Sequence, residues 1–294
     1  KGGVFSPTDG TADPSRAVPV ATRRLMAAGG YVHQLCAARG IELSAGRVSG
    51  VVTEKGTITT RTVVMAGGAW ASSFCHQLGI RFPQASIRSS ILTVAPGTSE
   101  LPVALAAPDV SITRRGNGHY TLAISGRARV DPTPQQVRFG REFLPMFARR
   151  WRSLSPGGLD GWRQGHESLE KWSLDDITPM ERNRILDPRP DMAQIRLTYQ
   201  RACELIPEVR NLSISDAWAG YIDSTPDGVP VIGEIESIPG FILAAGFSGH
   251  GFAIGPGAGH MIADIITGKP PIVDPAHFRP ERLKTAAWGK VAEF

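Results

Sequence analysis

Residues 246–259 read GFSGHGFAIGPGAG and follow directly on the apolar run FILAA at 241–245. A short apolar strand running into a glycine turn and then a helix constrains the fold to an α/β layer there. A phosphate cradle of the dinucleotide type does not follow. The glycines at 249, 251 and 255 are spaced GxGxxxG, the helix expected over about 256–267 stops at Gly268, and the PPIVDP that follows is spoiled as a central strand by proline. Two readings remain. The glycines permit tight backbone packing with no further role. Alternatively the loop presents the N-terminus of the last helix, with its unpaired N–H groups and partial positive charge, to a ligand that becomes anionic.

Away from the loop the texture changes along the chain. Asp13-Pro14 supplies an N-cap and a first-turn proline, and Val18, Leu25, Ala28, Val32, Leu35 and Cys36 then recur at helical spacing. Gly29-Gly30 either ends that helix or admits a close neighbour. After Gly40 the β-branched runs 41–45, 47–53, 57–60 and 62–68 read as strands, with a turn at Glu54-Lys55-Gly56, and 69–79 reads as a helix stopped by Gly79. The middle reads as antiparallel strands at 86–96, 109–115 and 119–125, the last two joined through Gly116-Asn117-Gly118. A helix over 134–151 carries Phe139, Phe143 and Phe147, and a second runs from about Met192 to Pro207. Strands at 213–223 and 229–233 lead back to the glycine loop.

Composition removes several function classes. The chain of 294 residues is 41% hydrophobic and 20% charged, with a net charge of +5 spread along it rather than gathered into a basic run. That distribution argues against nucleic acid and suits small anionic molecules. Three cysteines far apart, with no CxxC, point to a reducing compartment such as the cytoplasm, and no histidines fall at metal-ligand spacing. No apolar run is long enough to span a membrane.

The loop, together with Trp218-Ala219-Gly220, the turn Ser224-Thr225-Pro226-Asp227-Gly228 and Pro230-Val231-Ile232-Gly233, resembles the C-terminal flavin-binding region of the D-amino-acid oxidase/dehydrogenase superfamily. VVMAGGAWAS (63–72) is similar to that family's strand-to-helix crossing beside the flavin, DGTADPSR (9–16) to the segment opening its substrate-side helix, and RVSGVV (47–52) to the strand laid along the adenine. The resemblance implies non-covalent FAD bound by Val48, Ala66, Gly67, Gly68, Trp70, Gly220, Gly246, Ser248, Gly249, His250, Gly251 and Phe252. It implies an α/β fold in two parts: flavin-binding segments at 1–80 and 225–294, and a substrate domain on an antiparallel sheet at 81–224. The family's opening strand–GxGxxG–helix is missing from this sequence. A second polypeptide carrying that unit is therefore expected, through cleavage of a precursor or as a separate subunit, unless the chain is truncated.

By the same resemblance, a hydride leaves the substrate Cα for flavin N5 and the imine is hydrolysed, so the cofactor carries the hard chemistry. The substrate is expected to be an amino acid or secondary amine. A carboxylate clamp calls for an arginine fork, and Arg88 is the candidate, with Arg114 and Arg115 behind it. His119 and Tyr120 alternate faces, so at most one points inward; Tyr120 is the one taken. Tyr221 borders the flavin in the family's pattern. His250 has either a structural or a proton-handling role. Gly220 stands where sarcosine oxidase relatives attach flavin through cysteine, which rules out that attachment, and Ala253 stands where they carry an oxygen-activating lysine. A dehydrogenase using another electron acceptor is thus expected ahead of an oxidase. The rival readings are a non-catalytic scaffold subunit and a flavin enzyme acting on 2-hydroxy acids.

Overall fold

The computed structural model describes residues 2–98, 101–284 and 291. In chain order its elements begin with helix α1 (Pro14–Ala27), strands β1 (Ala38–Ser44), β2 (Arg47–Thr53), β3 (Gly56–Thr59) and β4 (Val63–Met65), and helix α2 (Ala71–Gln77). Strands β5 (Ala85–Val94), β6 (Ala104–Ala106), β7 (Ser111–Arg114), β8 (Tyr120–Ala123) and β9 (Ala128–Val130) follow. Next come α3 (Pro134–Arg138), α4 (Gly140–Arg150), β10 (Leu154–Pro156), α5 (Asp160–Gln164), α6 (Pro179–Arg182) and α7 (Met192–Leu205). The chain closes with β11 (Ile214–Ser224), β12 (Val231–Glu234), β13 (Phe241–Ala245) and α8 (Gly251–Thr267).

The chain forms two compact units. The first gathers Lys1–His33, Ser89–Arg127 and Arg189–Ala219; the second gathers Gln34–Arg88, Ala128–Pro188 and Gly220–Phe294. In the first, the later residues of β5 pair antiparallel with β8, which pairs with β7, which pairs with β6. Alternation along these strands sends Leu92, Val94, Ile112, Tyr120 and Leu122 to one face, where they pack with Ile195, Ala202 and Cys203 of α7. Asp13 caps α1 as expected, accepting from the Ser15 N–H. The helix stops at Ala27, where the N–H groups of Gly29 and Gly30 turn back onto the carbonyls of Met26 and Leu25 and Gly29 takes φ +89°. That settles the role of the glycine pair: it ends the helix, and the helical spacing from Val32 to Cys36 is not realised. No residue of α1 is buried.

The second unit is layered around a three-stranded sheet in the order β12-β13-β4, with β13 antiparallel to β12 and parallel to β4. All five residues of β13 are buried because both faces are covered. On one side lie Phe74 and Cys75 of α2, Phe82 of the connection from α2 to β5, and Val48 of the separate β1-β2-β3 meander; Phe74 stacks on Phe241 at 6.2 Å. A second apolar cluster joins Ile232 of β12 to Ala258 and Met261 of α8. The helix expected over 134–151 is two helices, α3 and α4, broken at Phe139 and Gly140. The last helix begins at Gly251, five residues earlier than expected, and carries Pro256 within it. The short β6, β9 and β10, and helices α5 and α6, lack a periodic signature and were not anticipated.

Candidate functional site: the glycine-loop cradle

The loop after β13 is shaped by three consecutive demands on the backbone. Gly246 takes φ +76°, and a Cβ there would lie 2.3 Å from Cγ2 of Thr225, so only glycine fits. Ser248 and Gly249 follow at φ +53° and +92°. The Ser248 N–H donates to the Asp223 carbonyl (2.8 Å), and a bridge between Ser224 and Phe247 ties the end of β11 to the loop. Helix α8 then opens at His250 with no side-chain cap and no acidic residue in its first turn. Its positive end is left to whatever lies before it.

Beside this loop is a cavity of about 430 Å³. Ala66 and Gly68 at the end of β4, Tyr221 and Asp223 of β11, and Phe247 and Gly249 of the loop border it. Two residues hold these three segments in place. The Asp223 carboxylate accepts from the Gly246 N–H at 2.7 Å and from Gln84 Nε2 at 3.4 Å. Gln84 Nε2 also donates to the Gly68 carbonyl at 2.9 Å, while Gln84 Oε1 accepts from the Ser72 N–H at 2.9 Å. One amide and one carboxylate thus fasten the crossing after β4 to the glycine loop. Burial raises the pKa of Asp223, and the Gly246 N–H opposes that shift.

Behind Tyr221 lies a buried polar cluster. The His166 ring stacks on Tyr221 at 4.3 Å and meets Trp70 edge-on at 6.1 Å. Neither His166 ring nitrogen nor the Tyr221 hydroxyl has a hydrogen-bond partner among the described residues. Burial pushes His166 down to about 4 and Glu167 up to about 7. Glu167 accepts from the Ser86 N–H and from the Thr133 hydroxyl, bonds that oppose its shift. The Tyr221 phenol is raised, by burial first and by the charge of Asp131 next. Arg88 is buried and forks onto Asp131 at 2.8 and 2.9 Å, with Asp160 at 3.5 Å.

The residues singled out from the sequence therefore divide. Ala66, Gly68, Tyr221, Gly249 and Gly251 border the cradle together. Gly246, Ser248, His250 and Phe252 lie on the same loop or helix start, with His250 and Phe252 exposed; Gly67 precedes Gly68, and Trp70 stands against His166. Gly220 is exposed on β11. Val48 is buried in the apolar cluster under β13. Tyr120 lies in the core of the first unit, its hydroxyl accepting from the Leu101 N–H. The guanidinium of Arg88 meets a carboxylate, but the protein's own. Gln84, Asp223, His166 and Glu167 were not singled out. Asp223 carries a readable signal, an acid two residues after Tyr221 on one strand face, immediately before the Ser224-Thr225-Pro226-Asp227-Gly228 turn; the other three carry none.

Residues 1–265 match the family described as FAD dependent oxidoreductase, DAO. The chain belongs to that family. It is 25% identical over 250 residues to glycine oxidase of Pseudomonas aeruginosa, covering 85% of this chain and 53% of that protein. It is 26% identical over 277 residues to mitochondrial sarcosine dehydrogenase of Mus musculus, covering 92% of this chain and 25% of that one. Among solved structures, L-amino acid deaminase from Proteus myxofaciens superposes with a TM-score of 0.86 at 27% identity, over 94% of this chain and 61% of that chain. The chain spans about half the length of the glycine oxidases it matches. The mixed parallel and antiparallel sheets are those of an amino-acid oxidase fold, as the sequence implied. Among the described residues no helix is long and apolar enough to cross a membrane, and no cluster of metal-ligating side chains occurs. The three cysteines are free.

Proposed function

We propose that this chain forms part of an FAD-dependent enzyme that oxidises the C–N bond of an amino acid or secondary amine. The observation that carries the reading is the uncapped start of α8 behind a loop whose Gly246 admits no Cβ, set against a cavity of about 430 Å³. Those residues fit a flavin: the glycines let backbone approach a flat ring closely, and the helix N-terminus favours the negative charge a flavin gains on reduction. When bound, FAD supplies the acceptor for the two electrons that leave the substrate as its C–N bond becomes C=N, which water then hydrolyses.

The chain's own residues hold and shield. Gly246, Ser248, Gly249, His250, Gly251 and Phe252 form the turn against the ring. Ala66, Gly67, Gly68 and Trp70 form the crossing that Gln84 and Asp223 fasten to it. Tyr221 walls the cradle with its ring. The sheet of the middle segment, 81–224, is assigned to substrate. L-amino acid deaminase from Proteus myxofaciens was solved with anthranilate, a molecule bearing an amine and a carboxylate, which is the substrate chemistry assigned to this chain.

A segment carrying a GxGxxG turn, of the same polypeptide or of another, completes the dinucleotide site. Among the described residues strand β4 is paired on one side only, by the parallel β13, and so offers an edge to which further parallel strands can add. With Ala253 in the first turn of α8, the electron acceptor is assigned to a partner other than oxygen.

The test is anaerobic titration of the natively purified flavoprotein. Bleaching of the flavin band by amino acids or N-methylated amino acids, with slow peroxide formation in air, is the expected result. Protein that lacks flavin with its native partner present supports the scaffold reading, and bleaching by glycolate or lactate alone supports 2-hydroxy acid chemistry. Rapid peroxide formation removes the assignment of a separate acceptor.

A further inference from the structure

Within the second unit a cavity of about 230 Å³ lies between α4 and the strands β5 and β9. Its walls are Ile87, Val130, Phe143, Leu144, Met146 and Phe147, and it extends to Ser224, Gly228 and Ser248, so one boundary is the glycine loop itself. Three of the four polar side chains that border it are already engaged, and the fourth, Ser224, lies where the end of β11 is bridged to the loop. Gln136 donates to the Ser86 carbonyl, the Ser248 hydroxyl donates to the Gly246 carbonyl, and Arg150 has a partner of its own. Such a cavity selects by shape and apolarity rather than by new hydrogen bonds.

Its size is informative. An apolar cavity of about 150 Å³ accommodates a benzene ring, so this one takes a phenyl, an indole or a branched aliphatic group with room for a linking carbon. Met146 and the phenyl rings of Phe143 and Phe147 supply soft, adaptable contacts for such a group. Gly140, the first residue of α4, also borders the space, and a Cβ placed there meets no atom within 4 Å. Nothing in the fold therefore demands glycine at that point by sterics.

We propose that this cavity receives the side chain of the substrate, and that the substrate class is amino acids with an aromatic or large branched apolar side chain. The proposal rests on the amino-acid oxidation reading above. The polar head of the substrate lies toward the loop, and the side chain extends away from it between α4 and β5. Small substrates leave the cavity unfilled and lose that binding.

Two variants test it in the complete flavoprotein. Gly140→Leu places a side chain in open space and improves helix propensity, so it is expected to fold; Phe147→Ala widens the same cavity. Anaerobic flavin reduction is followed with both enantiomers of phenylalanine, tryptophan, leucine and alanine, and 3-phenylpropionate binding is measured by calorimetry as a readout without turnover. The proposal expects a preference for phenylalanine or leucine over alanine of roughly tenfold or more. Gly140→Leu then loses that preference and weakens 3-phenylpropionate by a similar factor, alanine staying within about twofold, while Phe147→Ala shifts the preference toward tryptophan.

Equal reduction by large and small substrates, or an equal loss for all of them in Gly140→Leu, overturns the side-chain assignment and leaves the oxidoreductase reading standing. No reduction by any amino acid removes that reading and the substrate assignment with it, whether or not 3-phenylpropionate binds. Wild-type protein that reduces amino acids but does not bind 3-phenylpropionate shows the cavity filled by protein, which also overturns the proposal.

Discussion

His166 and Glu167 are adjacent and buried, and burial moves their pKa values in opposite directions. His166 is held at about 4 in the folded protein against an ordinary 6.5, because burial disfavours the imidazolium. It costs nothing above pH 6.5, and stability is lost as pH falls from there through 4. Glu167 is raised from 4.5 to about 7. Its contribution is fully present below pH 4.5 and is lost as pH rises through 7. Each displacement is worth about 3–4 kcal/mol. Between pH 4.5 and 6.5 the fold keeps both groups neutral while the unfolded chain charges both, so their slopes cancel. Glu167→Gln removes one side of that balance. Relative to wild type it is expected to lose about 2–3 kcal/mol on acidification from pH 6.5 to 4.5. His166→Asn is expected to show the opposite difference, gaining about as much over the same window. The readout is the difference in unfolding free energy from urea melts of the holoprotein at several pH values. Asp223, whose raised pKa gives a slope of the same sign as Glu167, is present in every protein compared and drops out of the difference. Two difference profiles that are both flat between pH 4.5 and 6.5 refute the reasoning, since neither group would then change its protonation on unfolding in that range.

Three shorter predictions concern the cradle and its support. Asp223→Ala leaves the Gly246 N–H without its acceptor and frees Gln84, so flavin retention is expected to weaken by roughly tenfold or more, an unmet buried group costing about 1–3 kcal/mol; equilibrium dialysis of the flavin checks it, and unchanged affinity removes Asp223 from the site. Gly246→Ala forces a Cβ toward Thr225 at a left-handed φ, and a loss of about 2–4 kcal/mol in urea is expected, of which conformation alone supplies about 1–2. Asp131→Ala takes the forked partner from the buried Arg88, with Asp160 still at 3.5 Å, and is expected to cost about 3–5 kcal/mol, whereas Arg88→Met with Asp131→Leu recovers most of it. If the double variant is as unstable as the single one, the cost lies in packing and not in the unpaired charge.

What could be read from the sequence was governed by local chemistry. The FILAA strand, the turn at Gly116-Asn117-Gly118 and the helix from Met192 each follow from periodicity and turn residues, and each is present. The last helix was placed five residues late because three glycines and Pro256 obscure its first turns, yet its N–H groups at Gly251 are what make it useful. The 134–151 helix was read as continuous because its phenylalanines keep a four-residue spacing. The break at Phe139 places Phe143 and Phe147 on a second helix that walls the apolar cavity.

Buried polar partnerships are a different matter. Gln84 and Asp223 are 139 residues apart, and Ser86 and Glu167 are 81 apart, so no window of sequence contains both members of either pair. Arg88 shows why a single residue is ambiguous. A strand arginine in a buried sheet must find a carboxylate, and nothing local says whether that carboxylate arrives with a substrate or is Asp131, 43 residues on. Energetics favour the internal partner, because leaving a guanidinium buried and unpaired in the ligand-free protein costs several kcal/mol. A clamp for a diffusing ligand is cheaper to maintain on a group that water can reach between turnovers. By that argument the carboxylate-binding group of such a site is to be sought among its half-exposed donors, a condition the buried Arg88 does not meet.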